Sequence, residues 1–151
     1  MARNNSPSKS VKLKKILKFL SYRARSEKEV RDRLTKYGLI SNEIEIEVER
    51  LKKWKLIDDA EFTRIYIESR SRSAPRSRRL LELELKRKGV DTSVLNTQYS
   101  VLSDLELAQL ALEKKKNLKS REQAIRFLQF RGFSWETIVK ALRGRYNDPN
   151  G

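Results

Sequence analysis

Residues 33–39 have the sequence RLTKYGL, and the same plan returns as ELKRKGV at 84–90 and as FLQFRGF at 127–133. In each segment a leucine is followed four positions later by a glycine, and a serine stands eight positions before that leucine. Six columns match across the three segments: Ser26, Ser77 and Ser120; Val30, Leu81 and Ala124; Leu34, Leu85 and Leu128; Gly38, Gly89 and Gly132; Ile44, Leu95 and Ile138; Val48, Tyr99 and Leu142. Self-similarity of this kind indicates a tandem repeat.

The matching positions have helical spacing. Val30, Leu34 and Gly38 lie at i, i+4 and i+8, on one face of a helix. A glycine just past the last apolar residue is typical of a helix end, and cap-forming residues follow each glycine. An amphipathic stretch also precedes each segment. The sequence therefore predicts an all-α protein of three tandem three-helix repeats, which stack into an elongated, curved body because one repeat cannot bury both of its faces.

The predicted domain boundaries follow the repeats. They are a flexible basic N-terminal tail (1–11), repeat one (12–57), repeat two (58–102), repeat three (104–146) and a flexible C-terminal tail (147–151).

The segment EIEIEVE at 43–49 alternates as a strand does. Ile44 and Val48 nevertheless keep helical spacing, and Asn42 with Glu45 fits a capping box. We therefore predict a helix there.

Composition narrows the classes of function. The chain has 35 basic and 20 acidic residues, a net charge of +15 that favours a polyanion or an acidic protein as partner. It has no cysteine and no histidine, so it lacks disulfides and the commonest general base and metal ligand.

No apolar run reaches membrane-spanning length, and the N-terminus MARNNSPSKS has no signal-peptide core, so we expect a cytoplasmic protein. No carboxylate is spaced with a nucleophile or metal partner, so we predict a non-enzyme without metal or cofactor.

The segment RSRSAPRSRR at 70–79 holds five arginines and no acid. We place it between two helices of repeat two, where a helix start and its arginines favour phosphate. The alternative is a solvated basic face that serves only solubility. The candidate DNA- or filament-binding residues are Lys12, Lys14, Lys15, Arg23, Arg25, Arg70, Arg72, Arg76, Arg78, Arg79, Arg126 and Arg131. The lysines at 114–116 are interpreted as an ordinary helix end.

Aromatic residues interleave with these charges, which is compatible with stacking on single-stranded bases. Phe62, Tyr99 and Phe127 fall at core positions of the repeat, and we expect Trp54 and Trp135 in the core as well.

Three longer segments resemble, in order, the three repeats of the RecX family, bacterial regulators of the RecA recombinase. They are YRARSEKEVRDRLTKYG (22–38), LIDDAEFTRIYIESR (56–70) and RFLQFRGFSWETI (126–138). The elements that carry the resemblance are Arg23, Arg25, Ser26 and Glu29; Asp59 and Phe62; and Arg131, Gly132, Phe133 and Ser134. The chain has Ala74 before Pro75 where family members often have a glycine, which leaves the geometry of that loop open.

The resemblance implies tandem three-helix bundles without catalysis. It implies a monomer that binds the RecA filament and single- and double-stranded DNA, with a role in recombination, DNA repair and the SOS response. Many members limit filament growth, strand exchange and ATP hydrolysis, whereas others support recombination. Two alternatives stay open, namely a stand-alone helical nucleic-acid-binding module without a recombinase partner and a scaffold for acidic proteins.

The stacked repeats predict an elongated particle in solution. We expect small-angle scattering to give a pair-distance distribution with a long tail, because quasi-linear repeats contact only their neighbours. A symmetric distribution typical of a compact sphere would contradict this prediction.

Overall fold

The computed structural model describes residues 9–94 and 102–146, and no strand occurs among them. These residues form eight α-helices: α1 (Lys9–Tyr22), α2 (Glu27–Lys36), α3 (Ser41–Lys53), α4 (Asp59–Ser73), α5 (Arg78–Arg87), α6 (Asp104–Lys114), α7 (Arg121–Phe130) and α8 (Trp135–Ala141). A short 3-10 helix, Thr92–Val94, follows α5. The predicted all-α class is confirmed, while Leu95, Tyr99 and most of the two predicted tails lie outside the described residues.

The glycine turns form as predicted. All three repeat glycines have positive φ: 92° at Gly38, 77° at Gly89 and 85° at Gly132. All three repeat leucines are at most 1% exposed: Leu34, Leu85 and Leu128. The helices therefore end where the left-handed residue turns the chain, and the matched leucines lie in the core.

The alternating segment 43–49 lies within α3, as predicted, with Ile44 and Val48 buried. The predicted cap was wrong, because Ile40 occupies the N-cap position and its N–H donates to Glu43 Oε1 at 3.1 Å. Asn42 lies inside the first turn, where its side chain accepts from the neighbouring N–H of Glu43.

Contacts divide the chain into two compact units. Unit 1 comprises the residues up to Ile65 with Arg87–Asp91, and unit 2 comprises Tyr66–Lys86 with the residues from Thr92 on. The buried cluster of unit 1 consists of Ile16, Phe19, Val30, Leu34, Leu39, Ile44, Val48, Leu51 and Ile57. That of unit 2 includes Leu107, Ala108, Ala111, Leu112, Ala124, Leu128, Phe133, Ile138, Ala141 and Leu142. The predicted boundaries of the three repeats stay a prediction.

The two tryptophans do not belong to either core, so their predicted burial was wrong. Trp54 follows the last residue of α3 and is 52% exposed, with the guanidinium of Arg50 at 6.0 Å from its ring. Trp135 is the first residue of α8 and is 59% exposed. Both lie at helix ends, where the buried stripe of the helix does not extend to them.

In unit 1, the start of α2 is bonded to two distant segments. The buried Ser26 Oγ accepts from the N–H of Glu29 at 3.2 Å and donates to the carbonyl of Lys88 at 2.7 Å. The next N–H along the helix, that of Glu27, donates to Asp59 Oδ1 at 2.8 Å. These bonds satisfy N–H groups that every helix start leaves without an intrahelical partner.

Unit 2 repeats this arrangement at the start of α5. The buried Ser77 accepts from the N–H of Leu80 at 3.1 Å, and its own N–H donates to the carbonyl of Arg131 at 3.0 Å. The N–H of Arg78 donates to Asp104 Oδ1 at 2.9 Å. In both units a cap serine thus meets a glycine turn, and an aspartate at the start of another helix accepts the following N–H.

The glycine turns differ in how closely other residues approach them. A Cβ on Gly89 would lie 2.7 Å from the Cβ of Lys28, and a Cβ on Gly132 would lie 2.6 Å from Ser77 Oγ. Nothing approaches the corresponding position on Gly38 within 4 Å. Glycine is therefore required twice over at 89 and 132, for its positive φ and for the space, but only for its φ at 38.

We expect Gly132→Ala and Gly89→Ala to destabilise the protein by roughly 2–5 kcal/mol, because left-handed strain adds to overpacking. Gly38→Ala is the matched control and should cost about 1–2 kcal/mol, from backbone strain alone. The shift of the urea midpoint at constant slope measures each loss. Equal losses at the three glycines would show that the close approach contributes nothing.

Candidate nucleic-acid interface

The predicted lysines of unit 1 lie on α1. Lys14 and Lys15 are exposed, and Lys12 is half-buried. The ammonium of Lys15 lies 5.7 Å from the ring of Tyr37, within range of a cation–π contact. These side chains are available to an anion, although they are spread along one helix.

Arg23 and Arg25, also in unit 1, converge on the carboxylate of Glu29. Arg23 Nη2 lies 2.8 Å from Glu29 Oε2, and Arg25 Nη1 lies 3.7 Å from the same oxygen. Arg25 also donates from Nε to the carbonyl of Phe19 at 3.2 Å, with its guanidinium 3.8 Å from that ring. Burial, followed by the charge of Arg23, lowers the pKa of Arg25. Both arginines are thus engaged in holding the turn before α2.

In unit 2, Arg76 belongs to a mostly buried polar group. Its Nη1 lies 2.6 Å from Glu84 Oε1, and the two side chains are 16% and 15% exposed. The hydroxyl of Tyr66 also donates to Glu84, and the guanidinium of Arg70 lies 5.2 Å from the Tyr66 ring. Burial, then the bond to Glu84, raises the pKa of Tyr66. Arg76 is one of the predicted binding residues, but its side chain folds back onto α5 and pairs with Glu84.

Arg131 joins the α7–α8 turn to the loop before α5. Its Nη1 donates to the carbonyl of Pro75 at 3.0 Å, and its guanidinium lies 4.9 Å from the ring of Phe127. Burial, and then the charge of Arg76, lowers the pKa of Arg131. Arg131 therefore positions two segments of unit 2 relative to each other.

Two further arginines of unit 2 form ion pairs, of which that of Arg72 is exposed and that of Arg78 is half-buried. Arg72 lies 2.8 Å from Glu68, and Arg78 lies 3.4 Å from Glu82. The exposed pair of Arg72 contributes about 0–1 kcal/mol, so a phosphate can replace its carboxylate at little cost.

Arg79 and Arg126 are exposed and have no polar partner among the residues that the structure describes. Arg79 lies in the first turn of α5, the helix start that is bonded to the α7–α8 turn. Arg126 lies on α7, four residues before Phe130 and therefore on the same helix face. These two arginines are the predicted site residues of unit 2 that remain most available to a ligand.

The same turn carries two exposed aromatic side chains, Phe130 at 83% and Trp135 at 59% exposure. They flank Gly132, with Phe130 ending α7 and Trp135 beginning α8. We call Arg78, Arg79, Arg126, Phe130 and Trp135 the arginine–aromatic surface. Sequence reasoning identified its arginines but placed Trp135 in the core. The available signal was the position of both aromatics outside the matched apolar columns.

The lysines interpreted as a helix end lie where α6 terminates at Lys114, and all three are exposed. Lys115 lies 6.0 Å from the ring of Phe127. Across the described ranges, no three side chains form a group able to hold a metal ion, and no helix combines the length and apolar character that crossing a membrane requires. The chemistry of the arginine–aromatic surface is that of phosphate binding and ring stacking.

Comparisons with known proteins converge on one family. The model of the first three-helix domain of RecX matches residues 13–51, and that of the second matches residues 58–97. A regulatory protein RecX of Pelodictyon phaeoclathratiforme is 33% identical over 150 residues, covering 95% of this chain and 92% of the relative. One of Bacillus licheniformis is 36% identical over 140 residues, covering 86% of this chain. The chain spans 53% of the length of that Bacillus relative.

The fold is also found in a solved structure. The crystal structure of RecX from Lactobacillus salivarius has a TM-score of 0.69 at 23% identity, covering 89% of this chain and 94% of the other. At this identity the likeness shows the helical fold alone.

Arg76→Ala should destabilise the protein by roughly 2–4 kcal/mol, because it leaves Glu84 mostly buried without its cation. Arg79→Ala, on an exposed side chain of the same segment, should change stability by about 0.5 kcal/mol or less. Urea unfolding measures both. A stable Arg76→Ala variant would show that Arg76 has no structural role and is free for a ligand.

Proposed function

Because this chain belongs to the RecX family of regulatory proteins, we propose that it binds the RecA–DNA filament and modulates recombination and ATP hydrolysis by the filament. The proposed effect is inhibition, which is the commoner outcome in the family. We propose that it acts as a monomer in the cytoplasm, without catalysis of its own, during DNA repair.

The observation that carries the nucleic-acid part of this proposal is the exposure of Arg79 and Arg126 on unit 2. Both are exposed and lack a polar partner in the described part of the chain. Without a polyanionic partner, these two arginines would contribute only to solubility. The net charge of +15 supports a polyanionic ligand.

Some arginines of unit 2 have structural contacts, whereas others are available to a ligand. Arg76 and Arg131 are held by Glu84 and by the carbonyl of Pro75, so they fix the loop before α5. With that loop fixed, Arg79 lies exposed in the first turn of α5, where its side chain is available to an anion. Arginine binds phosphate through a planar fork of donors, which suits contact with a nucleic-acid backbone.

The alternative proposal is a stand-alone nucleic-acid-binding module without a recombinase partner. It shares the arginine contacts with DNA and differs in requiring no effect on a recombinase. The unpaired cations alone support both proposals, and the family membership favours the first.

The test uses purified RecA recombinase on single-stranded DNA. Added protein should co-sediment with the filament and change its rate of ATP hydrolysis. The double variant Arg79→Ala, Arg126→Ala should weaken DNA binding by a similar factor for all sequences and lower the slope of log affinity against log salt by about one per lost phosphate contact.

The matched control is the double variant Lys114→Ala, Lys116→Ala, which removes the same charge from the end of α6. It should retain affinity and slope. Unchanged hydrolysis at saturating protein, without co-sedimentation, would contradict filament binding and favour the stand-alone module. Loss of DNA binding in the lysine variant alone would contradict the assignment to the arginine–aromatic surface.

A further inference from the structure

Phe130 and Trp135 are unusual in their exposure. They are 83% and 59% exposed, although they border the turn whose Phe133 is buried in the core of unit 2. On α7 and α8 they are the exposed large apolar side chains, and both are aromatic. Exposed aromatic side chains beside arginines occur both at protein interfaces and at surfaces that stack on nucleobases, and the net charge of +15 favours the nucleic acid.

The charges around these rings are complementary to those of a nucleic acid. Arg126 lies one helical turn before Phe130 and has no polar partner among the described residues. Arg79 lies on the helix start that is bonded to the same turn through Ser77 and Arg131. The exposed acid beside Trp135, Glu136, is paired with Lys140 at 3.1 Å. The rings suit the bases of a single strand, and the arginines suit its phosphates.

We infer that Phe130 and Trp135 stack on unpaired bases of single-stranded nucleic acid while Arg79 and Arg126 bind the flanking phosphates. Duplex DNA keeps its bases stacked on one another, so it offers the arginines their phosphates but offers the rings no free base face. The surface therefore prefers single strands to duplexes. This inference deepens the proposed function by naming the part of the ligand that the aromatic residues contact.

Trp135 itself reports the contact. In a Trp54→Phe background, Trp135 is the remaining tryptophan. Titration with oligodeoxythymidylate, without recombinase, should quench its fluorescence to saturation. An abasic oligonucleotide of the same length carries the same phosphates without bases and should bind more weakly without quenching. Equal quenching by both oligonucleotides would overturn the inference, because the contact would then be electrostatic alone.

Substitution separates stacking from charge. The double variant Phe130→Ala, Trp135→Ala should bind the oligonucleotide at least about tenfold more weakly, with an unchanged salt slope, because stacking releases no counterions. Phe130→Tyr with Trp135→Tyr should retain most of the affinity. Tyr22→Ala removes an aromatic side chain of unit 1 that is 70% exposed, and it should have no effect.

Three outcomes besides equal quenching would overturn the inference. They are undiminished binding by the alanine variant, an equal loss in Tyr22→Ala, and loss of filament binding without loss of oligonucleotide binding, which would assign the rings to a protein partner. Quenching and the tenfold loss, together with no effect on a recombinase, would leave this inference standing while contradicting the proposed function.

Discussion

In both units, a contact between the start of one helix and the end of another fixes how the helices are arranged. A helix start has N–H groups without partners, and a helix end has carbonyls without partners. In unit 1, Ser26 connects the two by accepting from Glu29 and donating to the carbonyl of Lys88. The positive end of one helix dipole therefore meets the negative end of another, and a buried hydroxyl is fully satisfied. The residue after Lys88 must be a glycine, Gly89, because a Cβ there would lie 2.7 Å from the Cβ of Lys28 on α2.

This geometry also explains why fewer basic side chains are available to a ligand than the composition suggests. Arg131 donates to a carbonyl of the loop before α5, Arg25 donates to a carbonyl in the last turn of α1, and each lies against an aromatic ring. Arginine suits this role because its flat guanidinium stacks while its N–H groups remain free to donate. Arg76 is neutralised by Glu84 in a mostly buried pair. The basic side chains that remain available to a ligand are those that form no such structural contact.

The arginine–aromatic surface lies where these contacts join the α7–α8 turn to the start of α5. The α7–α8 turn is bonded to the start of α5 by the N–H of Ser77 and by the side chain of Arg131. Two large apolar side chains therefore stand on a rigid base instead of folding into the core. Burying a ring of this size would stabilise the protein by about 1.5–3 kcal/mol, so their exposure forgoes stability. An aromatic side chain has only about two rotatable bonds, so it loses little conformational entropy when a ligand stacks on it.

The sequence by itself determined the helical class, the glycine turns, the buried leucines and the serine positions that begin α2, α5 and α7. These follow from helical periodicity and from the φ angle of single residues, which act within one or two turns of chain. The tertiary structure decided which arginines are consumed by the fold, which aspartates accept a distant N–H, and that Trp135 is exposed. Arg78 and Asp104 are 26 residues apart, and Arg131 and Pro75 are 56 residues apart. Periodicity within a helix carries no information on such pairs, because they form only when separate helices meet.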